Sequence, residues 1–522
     1  MNSSFSTWLT RVAAVLGITA LSGSSLAAGP QLTLHATGHD RRVDLGWTLK
    51  GVHEIQGFKV GRADSQESRF TTLYEGLYPD RFYSDFLGTN ELTRIYRVTA
   101  VLGDGTRIES APAAAQTHAM TDEELLTSVQ AATFRYFWDY AHPTSGLARE
   151  RTGSGDTCTS GGTGFGLMAI CVAAERGLVS RETAVERLNT LLSFLEKRAE
   201  RYHGAWAHWI HGATGNTIPF SRYDDGGDIV ETAYLAQGLL TVRRHFDRET
   251  PDERELIARA TRLWEGIEWD WYLGEPPGKQ LWWHWSPNHG WRMNHRIGGH
   301  FNECLIAYLL AIASPTHPIP ADCYRLGWVG EPPDGYLNGH EYYGQHLAVG
   351  WPYGGPLFFT HYSFLGFDPR AWRDEFCDYF ANNRAISLIN RAWCADNPHG
   401  FAVYSDLFWG LTASDDPDGY SAHEPRHDNG TIAPTAALSA MPYVPAESIA
   451  TLRHLYEEHG ARIWGHCGFK DAFNPTRDWV ADGHLAIDQG PIIVMIENHR
   501  SGLCWRKFMA NPEIPAALAR MG

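Results

Sequence analysis

From Pro30 to about Thr117, apolar and polar positions alternate with a period of two. Leu32, Leu34 and Ala36 alternate with polar neighbours, and so do Val43, Leu45 and Trp47. Further runs of this kind are Gly57–Val60, Thr72–Glu75, Arg81–Ser84 and Arg94–Val101, the last followed by the turn Gly103-Asp-Gly105. Period two puts alternate side chains on one face of a strand, and short strands at about ten-residue spacing predict a β-sandwich over 30–118. At Thr121 the period changes. Thr121-Asp-Glu-Glu124 has the form of a capping box, and Leu125, Val129, Ala132 and Tyr136 continue at helical spacing. Ser180 opens a helix carrying Ala184, Leu188, Leu191, Leu192 and Leu195. Further helices are predicted near 252–269, 302–313, 370–396, 446–459 and 490–508, with Asp368-Pro369 as a helix start. Gly161–Gly166 reads as a tight turn into a helix over Leu167–Glu175. About 400 residues of helix without β/α alternation are too many for a simple bundle. The fold class predicted for 121–522 is therefore mainly α, a closed toroid of helical hairpins whose long loops gather at one end.

A chain of 522 residues exceeds one ordinary domain, in keeping with this two-part reading. Its formal net charge is −16 and the acids run through the whole length, which excludes nucleic acid and anionic membrane as partners. Charged residues make up 20%, aromatic residues 12%, and Trp alone occurs 20 times. Such a composition suits uncharged polar ligands, above all sugars, whose C–H faces lie on aromatic rings while carboxylates bind their hydroxyls. Residues 1–27 read as a secretory signal: Arg11, the apolar run Val12–Leu21, then Ser25-Leu-Ala27 with cleavage after Ala27. No other segment reaches the ~20 apolar residues of a membrane span. The expectation is an exported monomer, periplasmic or else extracellular, without membrane insertion. Eight cysteines are scattered without C-x-x-C, and their pairing stays open. The 25 histidines show no metal-ligand spacing, so neither metal nor cofactor is expected. There is no nucleophile elbow and no phosphate-binding loop.

Candidate chemistry concentrates in a few stretches. Tyr223–Tyr234 holds Asp224, Asp225, Asp228 and Glu231. On a continuous helix Asp224, Asp228 and Glu231 would share one face, either as a solvated acidic first turn or as the polar floor of a site. Trp- and His-rich runs occur at 203–211, 281–303, 351–362 and 408–420. Breaking a glycosidic bond takes two carboxyl groups, one protonated and one ionised. Glu303, ahead of Leu305, Ile306, Tyr308 and Leu309, is poorly solvated and suits the general acid; it reads equally as a helix-capping carboxylate. Asp488, between Leu485-Ala-Ile487 and Gln489–Ile496, is the second acid, or else the N-cap of the last long helix. Trp283, Trp285, Trp291, Tyr353, Trp409 and Tyr420 are candidate stacking residues, with His295, Arg296 and His361 as hydroxyl contacts.

Ordered along the chain, Thr133-Phe-Arg-Tyr-Phe-Trp-Asp139, Gly162–Ala169, His203-Gly-Ala-Trp-Ala-His-Trp209 and Asp224–Glu231 resemble glycoside hydrolase family 144, the bacterial β-1,2-glucanases. So do Asn294–Gly299 with Asn302-Glu303, Tyr353–Gly366, Trp409–Asp415, Ile432–Ala437 and Ala486–Asn498. Trp47 and Tyr96-Arg-Val-Thr-Ala100 resemble a fibronectin type III module. The family resemblance implies an (α/α)6 toroid that hydrolyses β-1,2-glucan to sophorose and sophorooligosaccharides, endo-acting and inverting. It places the general acid on Glu303, the base on Asp488, and the acids that line the cleft on Asp224, Asp228 and Glu231. Alternatives are an exo-acting sophorose-releasing enzyme, a transglycosylase and a non-catalytic glucan-binding protein. A polysaccharide lyase on acidic sugars is disfavoured by the acidic loops.

Overall fold

The computed structural model describes residues 29–52 and 54–522. The segment read as a secretory signal, 1–27, lies outside the described residues. The strands of the N-terminal region are β1 (Gln31–Gly38), β2 (Arg42–Lys50), β3 (Ile55–Ala63), β4 (Thr71–Thr72), β5 (Phe82–Phe86), β6 (Thr93–Leu102), β7 (Arg107–Glu109) and β8 (Ala113–Gln116). They form a three-stranded sheet, β1-β2-β5, and a five-stranded one, β4-β3-β6-β7 with β8 also on β6. The period-two positions do what their spacing demands. Trp47, Phe58, Val60, Val98 and Ala100 are buried, and Trp47 meets Phe58 edge-on at 5.4 Å.

The chain divides into two compact units whose boundary does not follow the sequence. One takes Gly46–Arg81 and Arg94–Ala114, with the described residues 29–36. The other takes Ala115–Gly522 together with Thr37–Leu45 and Phe82–Thr93.

The helices of the larger unit are α1 (Asp122–Trp138), α2 (Ser160–Glu175), α3 (Arg181–Lys197), α4 (Ile229–His245), α5 (Pro251–Glu265), α6 (Leu305–Ala313) and α7 (Tyr379–Asp396). They continue with α8 (Pro434–Ser439), α9 (Pro445–His454), α10 (Gly460–Ile463), α11 (Ala486–Arg500), α12 (Leu503–Met509) and α13 (Glu513–Met521). Their side chains sort them into two layers. α2, α4, α6, α8 and α11 are buried on nearly every face, as helices inside a toroid must be. α1, α3 and α5 bury one stripe only and lie outside. In the inner layer α11 packs on α2, α2 on α4, α4 on α6, and α8 on α11. Between α6 and α8 the place of a helix is taken by short 3-10 turns over Leu357–Thr360 and Tyr362–Phe364. The architecture is the mainly α toroid expected, preceded by a small all-β region.

Thr121 closes its capping box with Glu124, and Ser180 caps α3. Other expectations need correction. The glycine run is no turn, because α2 begins at Ser160. A Cβ on Gly164 would sit 2.2 Å from the Tyr234 carbonyl oxygen, and one on Gly238 2.3 Å from that of Gly164. The glycines let α2 and α4 touch backbone to backbone. The helix predicted over 370–396 starts only at Tyr379, and Asp368 caps an isolated 3-10 turn, Pro369–Ala371. The helix predicted over 490–508 is two, interrupted by Gly502 at φ 68°. The loops are not free of strands either: Leu337–Tyr342 pairs with Gln345–Val349, and Ala413–Asp416 with Gly419–Ala422. All eight cysteines are buried and free. No described helix is long and apolar enough to cross a membrane.

Candidate active site

The acidic stretch opens α4 without forming one face of it. Asp228 is the N-cap, its Oδ1 accepting the N–H groups of Val230 at 3.0 Å and Glu231 at 2.9 Å. An Asp side chain that takes these two orphan donors ends the helix at that point. Asp224 therefore lies in the preceding loop, and only Glu231 is inside the helix. Gly227-Asp228 pairs antiparallel with His284-Trp285, which sets His284 opposite Asp228. His284 Nε2 lies 3.2 Å from Asp224 and 3.5 Å from Asp228, while His208 Nδ1 reaches Asp228 at 3.1 Å. Glu231 accepts the Thr159 hydroxyl and the Gly161 N–H, both at 2.8 Å.

Burial alone would lower both imidazoles. Glu231, Asp228 and Asp224 outweigh it and push His208 up to about 9. The bonds to Asp224 and Asp228 likewise outweigh burial at His284, which also rises to about 9. In return His208 and His284 overcome burial at Asp228 and hold it well below the carboxylate range. One atom each from His208, Asp224 and Asp228 lie within 4.8 Å of one another, a spacing a cation could use. The two imidazolium rings already balance the two carboxylates.

Glu303 sits in the turn before α6. Cys304 is the N-cap position there, so the capping reading of Glu303 falls. The Glu303 carbonyl accepts the Ser363 hydroxyl and, at 3.3 Å, that of Tyr234. Burial pushes its carboxyl up to about 7, so a large share of it is still protonated as neutral pH is approached. Asp488 is in the first turn of α11, whose N-cap is Leu485; the capping reading falls here too. Its side chain is 2% exposed, and burial, then Asp471 beside it, push it well above the carboxylate range.

Tyr362 joins these parts. Burial, then Asp488, Tyr420, Glu303 and Glu231, push its phenol far up, so acidic groups from four distant stretches of the chain act on this one ring. Tyr234, next to Cys304, Glu303, Glu231 and Tyr362, is raised mainly by burial as well.

The expected stacking residues divide. Trp283 is half-buried and stacks on His295 at 4.8 Å. Trp291 stacks on Trp282 at 5.3 Å, and the Arg296 guanidinium lies 3.8 Å over the same Trp282. Trp285 packs against His203 and Trp271, and Tyr353 against Tyr342 and Trp393. Tyr420 is 47% exposed and close to Asp488, Asp471 and Asp415. One expectation is corrected. Trp409 is completely buried in the core and has no face to offer a sugar. His361 is buried as well, and burial drives its ring down to about 3, so it stays neutral. Sequence reasoning missed His208, His284, Tyr362 and Asp471 as site residues. The first two stood in the aromatic runs it singled out, but only the strand pairing reveals their carboxylate partners.

A family model, Glycoamylase, described as a glucoamylase, matches residues 294–512. A Parabacteroides distasonis protein named exo β-1,2-glucooligosaccharide sophorohydrolase (non-reducing end) is 41% identical over 508 residues, covering 93% of this chain and 70% of that protein. The solved structure of a β-1,2-glucanase from Parabacteroides distasonis matches with a TM-score of 0.89 at 39% identity, over 95% of this chain and 73% of that one. An endo-β-1,2-glucanase from Chitinophaga pinensis, solved with sophorotriose and glucose, gives a TM-score of 0.75 at 46% identity, over 77% of this chain and 98% of that one.

Proposed function

The chain belongs to the glucoamylase-like family of glycoside hydrolases, and from that premise we propose that it hydrolyses β-1,2-glucan. The observation that carries this reading is the gathering of Glu303 and Asp488 about Tyr362, with opposite roles open to them. Glu303, its carboxyl pushed up by burial, gives its proton to the glycosidic oxygen. Asp488 accepts a proton from the water that attacks the anomeric carbon from the opposite face, and the configuration inverts. Asp224, Asp228 and Glu231 line the polar floor, and Trp283 and Tyr420 offer ring faces to the sugar. Glu303→Gln and Asp488→Asn should each lower kcat on β-1,2-glucan by ~10²–10⁴-fold without loss of fold. A reducing-end assay across β-1,2-, β-1,3-, β-1,4- and β-1,6-glucans should respond to the first alone. Wild-type kcat in either folded variant would remove that residue from its role.

Two modes of attack draw support from different relatives. The Chitinophaga pinensis endo-enzyme is similar at 46% identity, but over 77% of this chain. The Parabacteroides distasonis protein with an exo name matches over 93%, so that likeness takes in the β region as well. That extent favours release of sophorose from the non-reducing end as the second reading. In a time course on long glucan, early sophorose with little fall in mean chain length supports exo action. An early fall in chain length supports the endo mode.

A further inference from the structure

The stretch that carries Asp488 is held from two sides. Arg151 pairs with Leu485 as an antiparallel bridge, and the Ala486 N–H donates to the Glu150 carbonyl at 3.0 Å. From the other side the Asp471 N–H donates to the Gly483 carbonyl at 3.0 Å, and Gln489 Nε2 to that of Phe469 at 2.9 Å. The two side chains brought together by this docking are both carboxyls. Asp471 is 1% exposed and Asp488 2%, and they hydrogen-bond to each other. Asp471 Oδ2 also accepts the Asp415 N–H at 2.8 Å, while its Oδ1 and Asp488 Oδ2 are buried without a protein partner. Two buried carboxyls in contact cannot both ionise, so one proton must lie between them.

We propose that Asp471 is a positioning residue for the base: it shares one proton with Asp488 and sets the pH at which Asp488 can take a proton from water. The inference rests on the reading of Asp488 as the base. The other charged or titratable groups facing the pair are Asp415, Arg151, Tyr420 and Tyr362. Arg151 is engaged by Glu150 and Asp415, at 2.9 Å each, and does not contact the pair directly. Burial, with Asp415 adding to it, brings Asp471 up to about 7 in spite of the bond from Asp488. At rest the proton therefore sits on Asp488 and is donated to Asp471. For turnover it crosses to Asp471 and leaves Asp488 ionised. The water O–H then breaks toward Asp488 as its oxygen bonds to the anomeric carbon. The glycosidic C–O bond breaks, and the leaving oxygen takes its electron pair and the Glu303 proton. The pair now holds two protons and Glu303 none; the pair releases one to solvent and Glu303 takes one from it, which restores the resting state.

Asp471→Asn keeps an oxygen for the Asp415 N–H and turns an amide donor toward Asp488. The acidic limb of kcat/KM should move down by about one pH unit or more, since Asp488 then ionises beside a neutral donor. A less basic Asp488 should also cost ~10-fold or more in kcat. A purely structural Asp471 would change the melting temperature and leave the limb in place, which overturns the proposal. Asp488→Asn goes in the same assay: if it stays active, the base reading itself is wrong. If it is inactive while Asp471→Asn matches wild type, only the shared proton is. Should Asp471→Asn fail to fold, the wild-type profile decides. An acidic limb near pH 7 agrees with the shared proton, and one near the ordinary carboxylate value of about 4 overturns it.

Discussion

At the scale of single residues, the site is built from acids made unequal by their surroundings. Asp228 is ionised because two imidazoles and two helix N–H groups bond to it; Glu303 is held up near 7 because it is buried and nothing charged bonds to it. The histidines connect this to stability. His208 and His284 rise from an ordinary 6.5 to about 9 in the folded chain. A raised imidazole contributes fully below its unfolded value, so this contribution is present below pH 6.5, declines from there and is lost above 9. Glu303 and Asp471, raised to about 7, act on stability mainly below that value, but Asp488, raised further by burial and by Asp471, adds its own loss above it, so the rings are read from the difference between wild type and a variant. His284→Gln keeps a donor toward Asp224 and Asp228 but cannot titrate. Its melting temperature should fall less between pH 7 and 9 than that of wild type; parallel curves would show that His284 is not charged. The poor solvation of Glu303 and Asp488 was legible in the sequence, since each stands in an apolar run. That of Asp471 was not, because Phe-Lys-Asp-Ala looks ordinary until the docking of 468–472 on 483–489 is known. Trp409 was misread for a related reason: a dense aromatic run does not say which rings face inward.

At the scale of elements, the close approach of α2 and α4 aligns the site, because the first turn of α2 supplies the Thr159 and Gly161 donors to Glu231. Gly164→Ala sets a methyl against a backbone oxygen, which no rotamer can relieve. The cost should be ~1–3 kcal/mol in thermal or denaturant unfolding. Gly161→Ala meets Glu231 Oε2 at 2.5 Å and should lower activity along with stability. Gly46→Ala, with open space around its Cβ, serves as the neutral control. Equal stability of Gly164→Ala and Gly46→Ala would mean that the helices can part at no cost. The same contact explains where the sequence was hard to read. Helices with a one-sided stripe, such as α1 and α3, declared themselves through their period and caps. The first turns of α2 did not, because glycine's usual value as a helix breaker was overridden by packing that only glycine permits. Likewise the inner-layer turns at 357–364 carry a helix-like apolar density, yet the backbone there forms two short 3-10 turns on either side of His361, and nothing in the sequence marks that break.

At the scale of the whole molecule, the alternation of the N-terminal region suggested a cut near residue 118, and the packing contradicts so simple a cut. Residues 37–45 and 82–93 are β by sequence pattern and belong to the helical unit by contact. Arg42 shows what they contribute. It is 1% exposed and bonds Asp44 twice, at 2.8 and 3.0 Å, as well as Tyr456 and Ser128 at 2.9 Å, with its guanidinium 4.3 Å from the Trp464 ring. Against the burial that would raise it, Arg42 holds Asp44 down to about 2. Taking away one partner of such a pair leaves a buried charge uncompensated, so Arg42→Met should cost ~3–5 kcal/mol in denaturant unfolding. Removing both charges, as Arg42→Met with Asp44→Leu, should recover most of that loss, since the penalty is the orphaned carboxylate rather than the missing bond. A chain begun at residue 119 loses Asp40 and Arg42 with the strand that carries Arg42, and leaves Tyr456, Trp464 and Ser128 without their cover. It should be less stable than Arg42→Met in the full chain. If the shortened chain unfolds at the same denaturant concentration as wild type, residues 37–45 are an accessory to the helical unit and not a part of it.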